Sequence, residues 1–325
     1  MSFNFEEFLK KYYVHPETID FFKARLADNV QPYYEVGVEE ARKQSIAAAL
    51  KYGGSINLEG TEKEFIVPSP HCKDGIPVTV YKPSSCEQLA APGIVVYYHG
   101  GGNTVGCRQT HATVCKIIAR DTPCIVVNVE YRLAPEHKFP ANVDDSTCAL
   151  KWVAANKTTI GGNSNSKLGV SGDSAGGKLS AIVCHEAKNK VDFAVLVYPS
   201  VSYAADFPSL KEFEDGPVLS KPIWEWFVDQ YITEADKSNP RASVILNKDF
   251  SYLPPTQIIV ADLDPLRDGC YEYYEKLKEA GVKVELNTIK GVPHAFWSLP
   301  VAYKETCGEA HAAAVKFIKE NCYSN

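Results

Sequence analysis

The chain is defined first by what it lacks. No two of its ten cysteines are spaced C-x-x-C, and no pair of Cys or His residues shows zinc-ligand spacing, so metal binding is not indicated. No stretch approaches the run of about 18 apolar residues that a membrane-spanning helix needs. The opening residues MSFNFEEFLKKYYVH mix acids and lysines where a signal peptide needs an apolar core, which argues against secretion. A net charge of -6 is reached without any block of like charge, so nothing points to nucleic acid as a partner. Scattered single cysteines without a signal peptide imply free, mostly buried thiols in a reducing compartment, and the cytoplasm is the expected location.

What is present is ordinary in bulk and specific in pattern. The 325 residues are 45% hydrophobic and 23% charged, as in a globular protein, and the length suits one α/β core with insertions. We therefore read residues 1–325 as a single domain. Its first part, to about residue 53, has helical pattern. PETIDFFKARLAD carries Pro16 near a helix start, and VEEARKQSIAAALKYGG ends on Gly53.

From about residue 63 short β-branched runs take over. EFIVPS and IPVTVYKP suit outer strands. GIVVYYHG, CIVVNVEY, KLGVSGDS, FAVLVYPS, QIIVADLD and VKVELNTI are near-continuous apolar runs, as in parallel strands covered on both faces. Helical patterns at 109–121, 142–156, 175–189, 268–280 and 304–321 separate them, which predicts a doubly wound, mostly parallel sheet of about eight strands. Residues 200–240, rich in Pro, Trp and Tyr, break the alternation and read as an insertion after a strand. Chemistry in such sheets gathers at the carboxyl ends of the strands, so the residues after each apolar run matter most.

Gly172-Asp173-Ser174-Ala175-Gly176 matches G-x-S-x-G between a strand and a helix. A sharp strand–turn–helix requires tiny flanking residues and presents the serine hydroxyl at a helix N-terminus, where amides and dipole favour negative charge. A phosphate-binding turn would also be Gly-rich, but no G-x-G-x-x-G or Walker lysine accompanies this one. Serine needs a base held by an acid, and the partners should follow in the order acid, then His, each beyond a strand. DLDPLRD after IIVA offers Asp262, Asp264 and Asp268. We prefer Asp264, pinned by Pro265. Asp262 is second because it falls within the strand, and Asp268 reads as a cap of the following helix. His294, after VELNTIKG, is the one histidine beyond Ser174 that falls in a post-strand loop, since His185 and His311 lie in helical pattern. Oxyanion donors are expected from His99-Gly100-Gly101-Gly102, with the backbone N–H groups of Gly101, Gly102 and Ala175 as candidates. His99 itself reads as a brace for that loop.

HGGG at 99–102, YRLAPEHKFPA at 131–141, GDSAGG at 172–177, DPLRD at 264–268 and PHAF at 293–296 together resemble the hormone-sensitive-lipase-like group of α/β-hydrolases. The group includes arylacetamide deacetylases, plant carboxylesterases and many bacterial esterases. The resemblance covers roughly residues 60 to 322. It implies an α/β-hydrolase fold, a Ser174–His294–Asp264 triad and an oxyanion hole at Gly101, Gly102 and Ala175, with no cofactor and no metal. It further implies a cap built from about residues 1–53 and 200–240 over a catalytic core of about 60–199 and 241–322. Arg132 is expected to pair with Asp144 or Asp145. Two departures stand out: Asn103 follows HGGG where the group often has an aromatic, and Cys270 lies near the acid loop.

The expected activity is hydrolysis of short- to medium-chain carboxylic esters through an acyl-enzyme. The expected partner is therefore a small-molecule ester or amide, and self-association into a homodimer is left open. An amidase or deacetylase would use the same machinery, and a lipase would need a mobile cap and a broad apolar face. A ligand-binding receptor on this fold, like the plant gibberellin receptors, would lack the catalytic histidine. Trp224, Trp226, Phe227 and Tyr231 are spaced either to line such a face or to pack one side of a helix onto the core, and packing is the preferred reading.

Overall fold

The computed structural model describes residues 5–216 and 218–323. Residues 1–4 of the N-terminal segment, Pro217 in the insertion and the last two residues lie outside them. The strands are β1 (Gly60–Val67), β2 (Ile76–Pro83), β3 (Ile94–Tyr98), β4 (Ile125–Val129), β5 (Leu168–Asp173), β6 (Phe193–Val197), β7 (Thr256–Leu263) and β8 (Val284–Pro293). Among the described residues they form one eight-stranded sheet in the order β1-β2-β4-β3-β5-β6-β7-β8. β2 runs antiparallel to both its neighbours, and from β4 to β8 the pairing is parallel throughout.

The apolar runs explain this arrangement. In β3 and β4, Val96, Tyr98 and Val127 point into one core while Val95, Tyr97 and Val126 point into another. Period-two alternation with both faces apolar demands a layer of helices on each side. One layer holds α5 (Ala141–Ala155), α6 (Ala175–Glu186) and α9 (Arg267–Glu279), whose Leu150, Leu179 and Leu277 are fully buried. The other holds α2 (Pro16–Ala27), α4 (Ala112–Asp121) and α10 (Lys304–Tyr323), through Phe21, Val114 and Ala310. Full burial of each large aliphatic side chain contributes about 1.5–3 kcal/mol, so these two cores dominate the cohesion of the sheet. The exposed edge strand β1 instead carries Glu62, Lys63 and Glu64, charges that discourage edge-to-edge pairing.

Two regions stand apart from this sandwich. At the N-terminus, α1 (Phe5–Lys11) leads into α2, and α3 (Tyr33–Ala48) continues into a wider helical turn at Ala49–Gly53. Between β6 and β7 the chain inserts α7 (Pro208–Glu212) and α8 (Lys221–Tyr231). Their mutual packing is local: Ala41 of α3 shares a small cluster with Leu219 and Phe227, and Tyr33 stacks edge-on to Phe227 at 5.9 Å. No helix among the described residues is long and apolar enough to cross a membrane.

Candidate active site

Ser174 sits between β5 and α6 with φ 55 and ψ -118, a conformation that L-residues rarely adopt. The neighbouring glycines make room for it. A Cβ at Gly176 would collide with the Tyr98 carbonyl oxygen, and one at Gly172 would press against that same oxygen and the Gly176 backbone. The turn is held from both sides: the Ser174 amide donates to the Val197 carbonyl at 2.8 Å, and its carbonyl accepts from the Lys178 amide at 3.0 Å. The glycines are therefore a steric requirement of the turn.

Three residues far apart in sequence meet here. His294 Nε2 lies 2.8 Å from Ser174 Oγ, and His294 Nδ1 lies 2.7 Å from Asp264 Oδ2. Asp264 is fully buried, and its other oxygen accepts the Leu266 amide at 2.9 Å. A carboxylate only accepts hydrogen bonds, so Nδ1 carries the imidazole proton and Nε2 is free to accept from the serine hydroxyl. The Tyr198 ring closes the far side of His294, with centroids 4.5 Å apart.

The other two acids of this loop are engaged elsewhere. Asp262, on β7, faces Lys290 Nζ at 3.2 Å. Asp268 does not cap α9, contrary to the sequence reading: it lies inside the first turn of that helix and accepts from the Ser209 amide, at the start of α7, at 2.9 Å. The two residues bond reciprocally: the carboxylate takes the uncapped amide at the start of α7, and the Ser209 hydroxyl accepts the Asp268 amide at 3.1 Å.

His99–Gly102 forms the opposite wall. Gly101 and Gly102 have positive φ, 119 and 57, and Gly101 accepts the Thr104 and Val105 amides through its carbonyl. Among the described residues the N–H groups of Gly101, Gly102 and Ala175 have no protein acceptor. Buried groups brace this loop. His99 stacks on Tyr131 at 4.3 Å, and burial holds its imidazole near neutral with a pKa of about 4. The Tyr131 hydroxyl donates to the His99 carbonyl at 2.6 Å. Arg132 grips Asp145 through two 2.8 Å bonds, while Asp144 pairs with Arg241.

Sequence reasoning missed Asp173 and its partners. The variable residue of G-x-S-x-G is a buried carboxylate that accepts from the Tyr97 hydroxyl at 2.7 Å and the Gly100 amide at 3.1 Å, and His111 Nε2 lies 3.2 Å away. Burial pushes the Asp173 carboxyl up, but His111 and the hydrogen bonds from His111 and Tyr97 outweigh it, leaving it below the ordinary value. An acid inside an otherwise apolar strand end was the available signal. Lys178 was missed too. It is fully buried one turn beyond Ser174, and its ammonium reaches Tyr203 OH at 3.1 Å, Tyr231 OH at 3.2 Å and Asn103 Oδ1 at 3.3 Å. Burial drives it well below the ordinary lysine value. Asn103, the departure after HGGG, is thus a partner of this lysine.

Ser174, His294 and Gly100–Gly102 open on one cavity of about 180 Å³. Its roof comes from Tyr33, Ser45 and Ala48 of the N-terminal helices and from Ile223, Trp224 and Phe227 of α8. The aromatics of α8 therefore do both jobs weighed above: Trp224 and Phe227 face the cavity, while Tyr231 packs inward on Phe139. Cys270 is buried with its thiol against the Pro199 carbonyl and takes no part in the cavity.

Comparison with known proteins places this geometry. Residues 95–298 match the α/β-hydrolase fold family. The chain is 34% identical over 275 residues to carboxylic ester hydrolase LipN of Mycobacterium tuberculosis, spanning 82% of this chain and 71% of LipN. It is 32% identical over 280 residues to ethyl acetate hydrolase of Pseudomonas putida, spanning 84% and 87% of the two chains. The hyperthermophilic esterase of Pyrobaculum calidifontis superposes with a TM-score of 0.86 at 33% identity, covering 94% of this chain and 98% of that one. With the fold, the strand–turn–helix serine and these relatives in agreement, the chain belongs to the hormone-sensitive-lipase-like esterase group of the α/β-hydrolase family.

Proposed function

We propose that the protein is a serine carboxylesterase that hydrolyses short- to medium-chain esters through an acyl-enzyme. The observation that carries this reading is the unbroken hydrogen-bonded chain Ser174–His294–Asp264 opening on the same cavity as the free amides of Gly101 and Gly102. Ser174 Oγ attacks the ester carbonyl and passes its proton to His294 Nε2. Asp264 fixes the tautomer and stabilises the imidazolium. The amides of Gly101, Gly102 and Ala175 take the developing oxyanion, and His294 returns the proton to the leaving alcohol. Water then repeats the sequence on the acyl-enzyme.

The small cavity and the relatives' activity on carboxylic esters support modest substrates. Residues 1–53 and 200–240 are read as a cap, supported by the roof they contribute. Ten free thiols support a reducing, cytoplasmic setting.

Hydrolysis of p-nitrophenyl esters by wild type and Ser174→Ala tests the assignment. The variant should lose about 10⁴- to 10⁶-fold in kcat, as other triads do. A fluorophosphonate should label the wild type at Ser174 alone. Equal rates in the two proteins would overturn the reading.

A further inference from the structure

We propose that the physiological substrates carry a carboxylate and that Arg25 receives it. This rests on the esterase reading and names the substrate class of the same site. Arg25, on α2, is half-buried in the cavity wall and is the one lysine or arginine among the described residues that line it. Its guanidinium makes no hydrogen bond or ion pair among the described residues.

Three carboxylates of this region bond other groups. Asp28, three residues on, holds Lys51 Nζ at 2.6 and 2.7 Å and the Tyr52 hydroxyl at 2.6 Å, so its close contacts go to Lys51 and Tyr52 and Arg25 acts on it only at longer range. Glu17, two turns earlier on α2, accepts the backbone amides of Glu305 and Thr306 at 2.7 and 3.1 Å. Asp173, the one acid on the cavity wall, is spent on Tyr97, Gly100 and His111.

The roof is thus mixed: Arg25, Gln31, Tyr33 and Ser45 come from the N-terminal helices and their connection, and Ile223 and Trp224 come from α8. A guanidinium is a planar fork of donors with no acceptor capacity, and a carboxylate satisfies it in two parallel bonds. A neutral ester offers this fork a single uncharged acceptor, a weaker partner than a carboxylate. A monoester of a short dicarboxylic acid places its ester carbonyl at Ser174 and its free carboxylate at the guanidinium. The chain's net charge of -6 would repel such a substrate elsewhere, which makes a lone unpaired cation at this place informative.

The test measures kcat/KM of the full-length enzyme for monoethyl glutarate and ethyl pentanoate, with products quantified chromatographically. Wild type should favour the charged ester. In Arg25→Gln the ratio of the two kcat/KM values should fall by about tenfold, mainly through KM, and Arg25→Lys should restore part of it. An unchanged ratio in Arg25→Gln, or a wild type that prefers ethyl pentanoate tenfold, overturns the inference and leaves the esterase reading intact. Absence of turnover on both esters with Ser174 unlabelled by fluorophosphonate overturns the esterase reading and this inference with it.

Discussion

The two walls of the cavity are built on different principles. The sheet side presents backbone: bare amides of a glycine loop and a strained serine turn, fixed by buried groups such as Asp173, Asp264 and His99. The roof presents side chains from α2, α3 and α8, joined to the core by few polar links. One of these is Arg42 of α3, which holds Glu136 at 2.7 and 2.8 Å and the Thr104 and Ala134 carbonyls at 2.9 Å. Backbone held by dry hydrogen bonds tolerates little change, whereas a side-chain wall can be repacked. On the proposed mechanism, reaction chemistry belongs to one wall and choice of substrate to the other.

Three perturbations sharpen that contrast. Asp264→Asn keeps the shape of the sheet side but permits the wrong imidazole tautomer, and kcat should drop by about 10⁴ with KM little changed. A loss confined to KM would show that the acid only shapes the pocket.

Acid should weaken the core before it reaches the roof. His99, His185 and His311 are held neutral by burial with pKa values of about 4, below the ordinary 6.5. Unfolding therefore takes up protons between those values: stability is complete above pH 6.5 and declines as pH falls towards 4. Each should lower stability at pH 5 by about 2 kcal/mol, about 6 kcal/mol for the three, read as a fall in urea midpoint from pH 7.5 to pH 5. Glu136 behaves differently. The Arg42 hydrogen bonds depress it to about 2, so its contribution is complete above 4.5 and fades only as pH drops towards 2. A flat midpoint between pH 7.5 and 5 would contradict the neutral buried histidines.

The smallest effect is expected on the roof. Phe227→Ala should raise KM for short esters by up to about tenfold and shift preference to longer acyl chains, with fluorophosphonate labelling of Ser174 retained. Loss of labelling would mean that α8 helps to form the catalytic wall.

What the sequence disclosed follows the same division. The strands from β2 to β7 coincide with apolar runs, because burial on both faces leaves a local mark in composition, whereas only the last residues of the exposed edge strand β1 carry one. Ser174, Asp264 and His294 stand out in the sequence because each follows such a run, and His294 lies within hydrogen-bond distance of both the others. Side chains that meet across the cavity leave no comparable mark. Arg25 and Trp224 are about two hundred positions apart, and no periodicity relates them. Lys178 sat inside a helical apolar run, where only the three-dimensional gathering of Asn103, Tyr203 and Tyr231 explains a buried amine. Asp268 was misread because helix starts attract acids in general, and the competing amide came from a helix sixty residues upstream.

The backbone at Ser174 carries a conflict of interest. A β-carbon at φ 55 and ψ -118 costs about 1–3 kcal/mol that a glycine would not incur, so the fold is least content where the enzyme is most needed. Selection for durability alone would erase the proposed nucleophile at that position, and a Ser174→Gly protein should melt later while hydrolysing esters no faster than Ser174→Ala. The serine persists only because turnover, and not robustness, is what the turn is kept for.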